Sequence, residues 1–204
     1  VGDKPGLNFP YPNTDVISAL FKLHAKGMPI ILCTAKFGYA IIEIIEKANL
    51  NNPHVTDGGA LVINPLEGQI ISEHVIEKDD LLDLIAQCLS KNIYIEIYIP
   101  DAYFMDRSQV SEFTKKRIEI LQKDPTIVES LSQIAGQKDI IKVLCFARED
   151  HEVEILSDIA RSLGKRVNFI WSTHPFLPGI KSGVITAPNV SKENAIKETI
   201  ESLS

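Results

Sequence analysis

Two short segments near opposite ends of the chain carry side chains that suit phosphoryl transfer. Thr34 closes the apolar run MPIILCT, and Lys192 opens the segment KENAIKETIES. A hydroxyl at the end of a strand and an ammonium at the start of a helix suit this chemistry, because it depends mainly on positioning and electrostatic stabilisation. Lys36 follows closely and could bind an anion as a point charge. Threonine is common in strands and lysine on helices, so only their joint placement indicates an active site.

The elements around these residues follow the pattern of a parallel sheet covered by helices. TDVISALFKLHAKG predicts a helix that is capped by Asn13 or Thr14 and ends near Gly27. MPIILCTA is short, apolar and bounded by helix breakers, which predicts a parallel strand buried on both faces. A helix at residues 39–48 and a strand broken by the Gly-Gly turn of HVTDGGALVIN follow. The last segment, from GVIT onward, predicts a short strand, a loop and a helix capped by Ser191.

The middle of the chain has a different character. QIISEHVI and NIYIEIYIP alternate apolar and polar residues, which is typical of half-exposed antiparallel strands in an open-faced sheet. KDDLLDLIAQCLSK, SQVSEFTKKRIEILQK and HEVEILSDIARSLGK predict amphipathic helices, and IIKVLCFA and KRVNFIWST predict further strands. We therefore predict an inserted α+β domain over residues 72–183, with residues 1–71 and 184–204 jointly forming the sheet domain.

Composition and charge argue against several classes of partner. The net charge of −6 argues against nucleic acid, whose phosphates require a clustered basic excess. The basic run Lys115, Lys116 and Arg117 lies beside glutamates and predicts a solvated helix face. The three cysteines are widely spaced in apolar sequence, which indicates buried reduced thiols. With neither a signal peptide nor an apolar stretch of about 18 residues, the sequence predicts a soluble cytoplasmic protein without a membrane partner.

Three motifs in this order resemble the haloacid dehalogenase superfamily, and more narrowly its Cof-type branch, whose members carry a large α+β cap. In ILCTAK, the strand ending in Thr34 matches the second motif, with Ala-Lys in place of the usual Gly-Arg. In TDGGALV, Gly58 and Gly59 begin the counterpart of a common Asn-Gly-Ala. In NVSKENAI, Val-Ser-Lys matches the third motif around Lys192, and Glu193 replaces its usual glycine. The resemblance covers nearly the whole chain.

The resemblance implies an α/β fold, with a Rossmann-like core that is incomplete in this chain and an inserted α+β cap. It implies a phosphomonoesterase that acts on a small phosphorylated metabolite, such as a sugar phosphate or a phosphoglycerate derivative, through an aspartyl phosphate and with Mg²⁺. Thr34 would then hydrogen-bond a phosphoryl oxygen, and Lys192 would neutralise charge on the nucleophile and the transferring group. Lys36, Gly58 and Gly59 would contribute to substrate binding. The oligomeric state stays open.

Two motifs of the superfamily are absent from the 204 residues. No Asp-x-Asp occurs, although its first aspartate is the nucleophile of this superfamily and its second the general acid and base. The acidic fourth motif, which would complete the magnesium site, is also missing. Either the chain is a segment of a longer phosphatase, or it is a degenerate homologue that binds a ligand without hydrolysing it. We favour the first, because a sheet without its central strand leaves residues 30–33 unpaired. An unrelated nucleotide-binding domain ranks last, because no Gly-rich phosphate loop is present.

Polar residues of the inserted domain are candidates for substrate binding. Arg107 lies in the loop region after NIYIEIYIP, and Arg148 lies between a strand and a helix, in a cluster that could equally be a helix start capped by Asp150. His174 and Lys181 fall in WSTHPFLPGIKSG, which by resemblance contacts the leaving group of the substrate. A Pro-rich hairpin with its tryptophan in the core is the alternative. The histidines show no metal-ligand spacing, so we predict no metal ligand among them.

Overall fold

Two compact units make up the described part of the chain. A computed structural model describes residues 12–202; within them, unit 1 comprises residues 12–73, 119–122 and 190–202, and unit 2 comprises residues 74–118 and 123–189. Each unit has its own sheet and its own apolar cluster. None of the helices between residues 12 and 202 combines the length and the apolar character that crossing a membrane requires.

Helices and strands follow one another along both units. The helices are α1 (Thr14–His24), α2 (Ile42–Ala48), α3 (Lys78–Ser90), α4 (Glu112–Leu121), α5 (Leu131–Ala135), α6 (Asp150–Leu163) and α7 (Lys192–Ser202). The strands are β1 (His54–Thr56), β2 (Leu61–Asn64), β3 (Gln69–Glu73), β4 (Tyr94–Ile99), β5 (Ala102–Asp106), β6 (Thr126–Val128), β7 (Lys142–Ala147), β8 (Asn168–Thr173) and β9 (Lys181–Thr186). In unit 1 the antiparallel order is β1-β2-β3, and in unit 2 the order is β6-β5-β4-β7-β9-β8.

The apolar segment before Thr34 is not the fully buried strand that its sequence predicts. It meets β1 at one parallel bridge, between Cys33 and Val55. There the Val55 N–H donates to the Leu32 carbonyl at 2.8 Å, and the Thr34 N–H donates to the Val55 carbonyl at 3.0 Å. Residues 30–34 are only half-buried. The bridge nevertheless brings the end of this segment beside the end of β1.

Two buried side chains continue this pairing where the backbone ladder stops. The Asn52 amide accepts from the Ile30 N–H at 3.3 Å and donates to the Ile30 carbonyl at 2.8 Å. Nδ1 of His54 accepts from the Leu32 N–H at 3.2 Å, and its Nε2 donates to the Leu50 carbonyl at 3.3 Å. Because Nδ1 must accept, the imidazole is neutral with its proton on Nε2. Side chains thus take the place of backbone partners, which explains why the segment forms a single bridge.

Each unit packs apolar side chains between its helices and its sheet. In unit 1, Ala195 of α7 packs against Val55 and Val62 of the sheet. In unit 2, α3 and α6 cover one face of the six-stranded sheet. Full burial of one such aliphatic side chain contributes about 1.5–3 kcal/mol. The Sγ atoms of Cys88 and Cys145 lie 3.6 Å apart within the second cluster, and both thiols are free and buried.

The opposite face of the six-stranded sheet is buried at β4, which differs from the half-exposed strand that the sequence predicts there, whereas the edge strand β8 is largely exposed. Five of the six β4 residues are buried. Helix α4 supplies Arg117, which donates to the two carboxylate oxygens of Glu96 at 3.0 and 2.9 Å, while the Tyr98 hydroxyl donates to the same carboxylate. The prediction of a solvated basic run is wrong for Arg117, which is 4% exposed, whereas Lys115 and Lys116 are exposed.

Two predicted strands belong to a different sheet from the one expected. QIISE forms β3 and pairs with β2 in unit 1, because the turn ending at Gly68 returns the chain directly alongside β2. The strand that includes Gly183 is β9, which pairs with β7 and β8 in unit 2 as part of a hairpin. The two units part at residues 73/74 and 189/190, two and six residues after the limits predicted for the inserted domain.

Candidate active site

Thr34 and Lys36 lie in a tight loop, residues 34–38, which leads from the apolar segment towards α2. The Thr34 Oγ1 accepts a hydrogen bond from the Lys36 N–H at 3.1 Å. A hydroxyl commonly forms such a turn with the N–H two residues later. Both side chains belong to half-buried residues. The loop therefore holds a hydroxyl and an ammonium close together in a defined backbone conformation.

The Gly58-Gly59 turn lies against this loop. It connects β1 to β2, and the Gly58 N–H donates to the Thr34 carbonyl at 3.1 Å. Gly58 has a φ of 76° and Gly59 a φ of 105°, which only glycine adopts readily. Family resemblance listed these glycines as substrate-binding residues, and in the structure Gly58 contacts the loop of Thr34.

The start of α7 joins the same group of residues in unit 1. Ser191 caps the helix, because its Oγ accepts from the Asn194 N–H at 3.0 Å. A Cβ built at Gly59 would lie 2.4 Å from the Ser191 carbonyl oxygen and 3.0 Å from the Lys192 backbone nitrogen. Only glycine permits so close an approach of two backbones. Lys192 is exposed at the first residue of α7, so its ammonium is accessible.

Burial and charge alter the titration of side chains around Thr34. Burial raises the pKa of the Cys33 thiol, and the positive charge of Lys192 offsets part of that rise. This electrostatic effect indicates that the Lys192 ammonium lies near the end of the apolar segment. Burial also lowers the pKa of the Lys36 amine, because a partly desolvated ammonium is less stable. An anion bound beside Lys36 would favour its charged form again.

Asp57 is a further residue of this region, and the sequence patterns did not identify it as part of the site. It directly precedes the two glycines, is 2% exposed and has a φ of 53°. Its Oδ2 accepts from the Gly38 N–H at 3.2 Å and from the Thr56 hydroxyl at 3.0 Å, and its own N–H donates to the Lys36 carbonyl at 2.8 Å. The available signal was an aspartate before a Gly-Gly turn, which is also common in ordinary turns.

Two predicted substrate-binding residues of unit 2, Arg107 and Lys181, are exposed. Arg107 follows β5 and forms an ion pair with Glu129 in which both side chains are mostly exposed. Such a pair typically contributes less than about 1 kcal/mol. Lys181 is the first residue of β9 and lies opposite Thr173 of β8. Their roles in substrate binding stay predictions.

Arg148 is held at the start of α6. Its guanidinium donates to Glu152 at 2.6 Å and to the Asn92 carbonyl at 3.0 Å. Glu152 also accepts from the N–H of Glu149 at 3.1 Å. Burial tends to raise the pKa of Glu152, but the bonds from Arg148 outweigh it and lower the pKa overall. The predicted cap at Asp150 is wrong, because Asp150 is the first residue of the helix and Glu149 is its N-cap. The Glu152 carboxylate accepts from the backbone N–H of Glu149 at this end of the helix.

His174 and Trp171 lie in the hairpin that joins β8 to β9. Nδ1 of His174 accepts from the Phe176 N–H at 3.2 Å, so this nitrogen organises the turn. Trp171 is 39% exposed and packs edge-on against Phe169, with ring centroids 5.1 Å apart. The hairpin is therefore present, but its tryptophan is at the surface. Contact of His174 with a substrate stays a prediction.

The described residues do not offer a magnesium site. Between residues 12 and 202, no three or more histidine, cysteine, aspartate or glutamate side chains converge in a way that could hold a metal ion. Mg²⁺ is usually bound through carboxylates together with water and substrate phosphates. The Oδ2 atom of Asp57 already accepts bonds from Gly38 and Thr56. These residues therefore do not fit the Mg²⁺ that the family resemblance implies.

Comparison with known proteins places this fold and these motifs in one family. The family described as haloacid dehalogenase-like hydrolase matches residues 12–204. The fold is similar to that of a subclass IIB sugar phosphatase of the haloacid dehalogenase superfamily, with a TM-score of 0.76 and 19% identity over 100% of this chain and 73% of the other. The sequence matches no curated protein.

Two further solved structures have the same fold. A haloacid dehalogenase-like hydrolase from Bacteroides thetaiotaomicron has a TM-score of 0.80 and 12% identity over 96% of this chain and 71% of that one. A haloacid dehalogenase-like hydrolase from B. subtilis has a TM-score of 0.71 and 15% identity over 94% and 72%. These similarities confirm the predicted α/β fold, with a Rossmann-like core and an inserted cap. The family match covers nearly the whole chain, and the chain belongs to the haloacid dehalogenase-like hydrolase family.

Proposed function

We propose that unit 1 supplies the phosphate-binding part of a magnesium-dependent phosphomonoesterase of the Cof-type branch. The substrate is a small phosphorylated metabolite of the sugar phosphate or phosphoglycerate type, and the reaction passes through an aspartyl phosphate in the cytoplasm. The likeness to a subclass IIB sugar phosphatase supports the sugar phosphate. Family membership supports hydrolysis.

The observation that carries the proposal is the close approach of Gly59 to the Ser191–Lys192 peptide. This approach requires glycine, because a Cβ would lie 2.4 Å from a backbone oxygen. This contact fixes the start of α7 beside the Gly58-Gly59 turn. In that turn, the Gly58 N–H donates to the Thr34 carbonyl. A hydroxyl and an ammonium from distant parts of the sequence are thereby brought to one region of unit 1. Phosphoryl transfer requires such fixed donors and cations.

Each of the three polar residues has a role in this proposal. The Thr34 hydroxyl accepts from the Lys36 N–H, so its own O–H remains available to donate to a phosphoryl oxygen. Lys36 adds a partly buried cation whose charged form a bound anion would favour. Lys192 neutralises charge on the phosphoryl group. The nucleophilic aspartate and the Mg²⁺ ligands are not among the residues described, so unit 1 is assigned binding and charge stabilisation only.

Hydrolysis of p-nitrophenyl phosphate with and without Mg²⁺ tests the proposal on the longer protein of which this chain would be a segment, because the 204 residues lack the nucleophile and should be inactive alone. We expect Mg²⁺-dependent turnover that falls by about 100-fold or more in Lys192→Ala, the usual loss when one charge-stabilising group is removed. Lys197→Ala is the matched control, because Lys197 lies on the same helix in an exposed ion pair with Glu193. Turnover that is equal in wild type and Lys192→Ala would overturn the assignment of Lys192.

A ligand-binding module that does not hydrolyse its ligand is the second candidate. The absence of Asp-x-Asp from the 204 residues favours it, as does the lack of a metal-binding cluster between residues 12 and 202. This candidate predicts binding of inorganic phosphate without turnover and without a Mg²⁺ requirement. A titration with phosphate in the absence of Mg²⁺ separates the two candidate functions. Only the binding module would bind phosphate equally well with and without Mg²⁺ and show no turnover.

A further inference from the structure

We propose that Asp57 is the positioning residue of the 34–38 loop, an inference that rests on the proposed function for its meaning in phosphate binding. Asp57 precedes Gly58 in the TDGGALV segment, but the family resemblance assigns it no role. It acts on the loop through hydrogen bonds to backbone atoms and through its own backbone conformation. Its task is to hold Thr34 and Lys36 in the geometry that binds a phosphoryl group.

The contacts of Asp57 reach both the middle and the end of the loop. Its N–H donates to the Lys36 carbonyl at 2.8 Å, and its Oδ2 accepts from the Gly38 N–H at 3.2 Å. The next residue, Gly58, donates to the Thr34 carbonyl at 3.1 Å. The loop is therefore tied at three residues to one two-residue segment. A shift of this segment would move the hydroxyl of Thr34 and the amine of Lys36 together.

The side chain of Asp57 is fixed from a second direction. The Thr56 hydroxyl donates to the same Oδ2 at 3.0 Å, so β1 orients the carboxylate that receives the Gly38 N–H. The residue is only 2% exposed. A buried carboxylate is costly unless hydrogen-bond donors surround it, and these two donors supply that condition. The arrangement therefore joins the end of β1 to the entrance of α2 through one oxygen atom.

The backbone of Asp57 is in a conformation that few side chains tolerate. Its φ of 53° lies in the left-handed region, where aspartate and asparagine are found more often than other residues with a Cβ. Such a conformation persists when the surrounding contacts specify it. Glycine would adopt it more easily but would lack the carboxylate. Aspartate rather than glycine is expected at this position if its carboxylate oxygen is required to accept from the Gly38 N–H.

Two substitutions separate the backbone from the side chain. Asp57→Gly keeps the left-handed conformation and removes Oδ2, whereas Asp57→Asn keeps an acceptor oxygen and a side chain that tolerates this φ. Asn52→Ala is the matched control, because Asn52 is also buried and bonds the same apolar segment, but at Ile30. All three variants are measured at a temperature at which circular dichroism shows them folded.

The first readout is hydrogen–deuterium exchange, which needs no ligand. We expect the Gly38 amide to exchange about tenfold faster in Asp57→Gly than in wild type, with Asp57→Asn within about threefold of wild type and Asn52→Ala unchanged at Gly38. Equal Gly38 exchange in Asp57→Gly and wild type would overturn the inference, whether or not the protein binds phosphate. General destabilisation would instead speed exchange equally in Asn52→Ala, and that result would also overturn it.

The second readout is the affinity for inorganic phosphate, titrated by NMR. We expect the Kd to rise about tenfold in Asp57→Gly and to recover to within about threefold in Asp57→Asn. A folded Asp57→Gly with a Kd within twofold of wild type would overturn the positioning role in binding. Failure of wild type itself to bind phosphate would contradict the proposed function, while the exchange data would still decide whether Asp57 holds the loop.

Discussion

The buried ion pair of unit 2 and the buried polar side chains near the candidate site of unit 1 make different kinds of hydrogen bond. In unit 2, Glu96 and Arg117 bond mainly to each other across the covered face of the sheet. In unit 1, Asn52, His54 and Asp57 bond the backbone of neighbouring segments. The first arrangement attaches a helix to a sheet, whereas the second specifies the path of the chain into the candidate site.

This difference predicts different consequences of substitution. A buried ion pair makes each charge depend on its partner, so loss of either one leaves a charge without solvent or counterion. A side chain that bonds the backbone instead selects one local conformation over others. We therefore expect changes in the polar cluster of unit 2 to act on stability alone. Changes at Asp57 should act on stability and on phosphate binding together.

The largest loss of stability is expected for Arg117→Ala. Glu96 is fully buried and Arg117 is 4% exposed, so the substitution leaves a carboxylate without its counter-charge. Breaking a buried pair in this way costs about 3–5 kcal/mol. The free energy of unfolding from urea denaturation measures the loss. The double variant Glu96→Leu with Arg117→Met is the control and should recover most of it, because both charges are then absent. A loss below about 1 kcal/mol in the single variant would contradict the comparison.

The next largest effect is expected for Gly59→Ala in unit 1. A Cβ there would collide with the Ser191 carbonyl, and alanine would also be strained at a φ of 105°. Strain and overpacking together cost about 4 kcal/mol. Because backbone atoms must move, the start of α7 should shift and weaken the contribution of Lys192 to phosphate binding.

Gly58→Ala is the matched control for this prediction. Its φ of 76° is also left-handed, but nothing lies within 4 Å of an added Cβ. It should cost only the conformational part, about 1 kcal/mol. Denaturation and phosphate titration of both variants test the contrast. Equal effects of Gly58→Ala and Gly59→Ala would show that the contact of Gly59 with Ser191 is unimportant.

A third prediction concerns the dependence of stability on pH in unit 1. Burial lowers the pKa of His54 from 6.5 to about 4, because the charged ring would have little solvent, and the nearby His24 lowers the pKa further. Below pH 6.5 the unfolded chain binds a proton that the folded chain does not, so stability falls as the pH falls. From pH 6.5 to pH 4 the loss from this residue is about 3 kcal/mol.

Unfolding free energies at several pH values measure this effect. His54→Gln removes the titrating group and should flatten the curve in this window, whereas His151→Gln is the control. His151 is exposed on α6 and is not among the groups that shift the pKa of His54, so the fall in stability due to His54 should persist in this variant. A fall in stability that persists in His54→Gln would show that another group causes it.

The sequence predicts features that depend on neighbouring residues. The spacing of apolar residues in α6 and a cap of α1 at Asn13 or Thr14 are local features, and in the structure Asn13 is the cap. The Gly58-Gly59 turn is also local, because positive φ angles favour glycine at both positions. Family resemblance grouped these glycines with Thr34 and Lys192 as candidate site residues, which no local pattern does.

The sequence predictions fail for residues whose burial or pairing depends on partners far away in the chain. Arg117 lies in a run of three cations, and nothing near it indicates that Glu96, 21 residues away, removes it from water. QIISE has the pattern of a half-exposed strand, but the pattern does not say which sheet it joins. Asp57 was missed for the same reason, because its partner Gly38 is 19 residues earlier. Burial and pairing between distant residues are therefore what sequence patterns leave undetermined.

The smallest effect is expected for Gly183→Ala in unit 2. It tests whether a glycine that faces a side chain tolerates a methyl group better than Gly59 of unit 1, which faces backbone atoms. A Cβ at Gly183 would lie 2.5 and 2.7 Å from ring atoms of Phe169 and 3.3 Å from Leu156. The obstacle is the end of a side chain on the edge strand β8, and a ring can rotate where a carbonyl cannot. We therefore expect a loss of about 1–2 kcal/mol, with phosphate affinity unchanged. The single tryptophan, Trp171, packs on Phe169, so its fluorescence should report the movement of the ring.

Ser182→Ala is the control for this last variant, because Ser182 neighbours Gly183 on β9 and its hydroxyl donates to the Ser172 carbonyl at 3.3 Å. It should cost less than about 1 kcal/mol and leave the tryptophan emission unchanged. If Gly183→Ala destabilised as strongly as Gly59→Ala, side-chain and backbone obstacles would be equivalent, and the approach of Gly59 to Ser191 would no longer mark a special site. A shifted emission with a small loss of stability would instead show that unit 2 absorbs the added methyl group by moving a ring, an adjustment that the backbone contact in unit 1 does not allow.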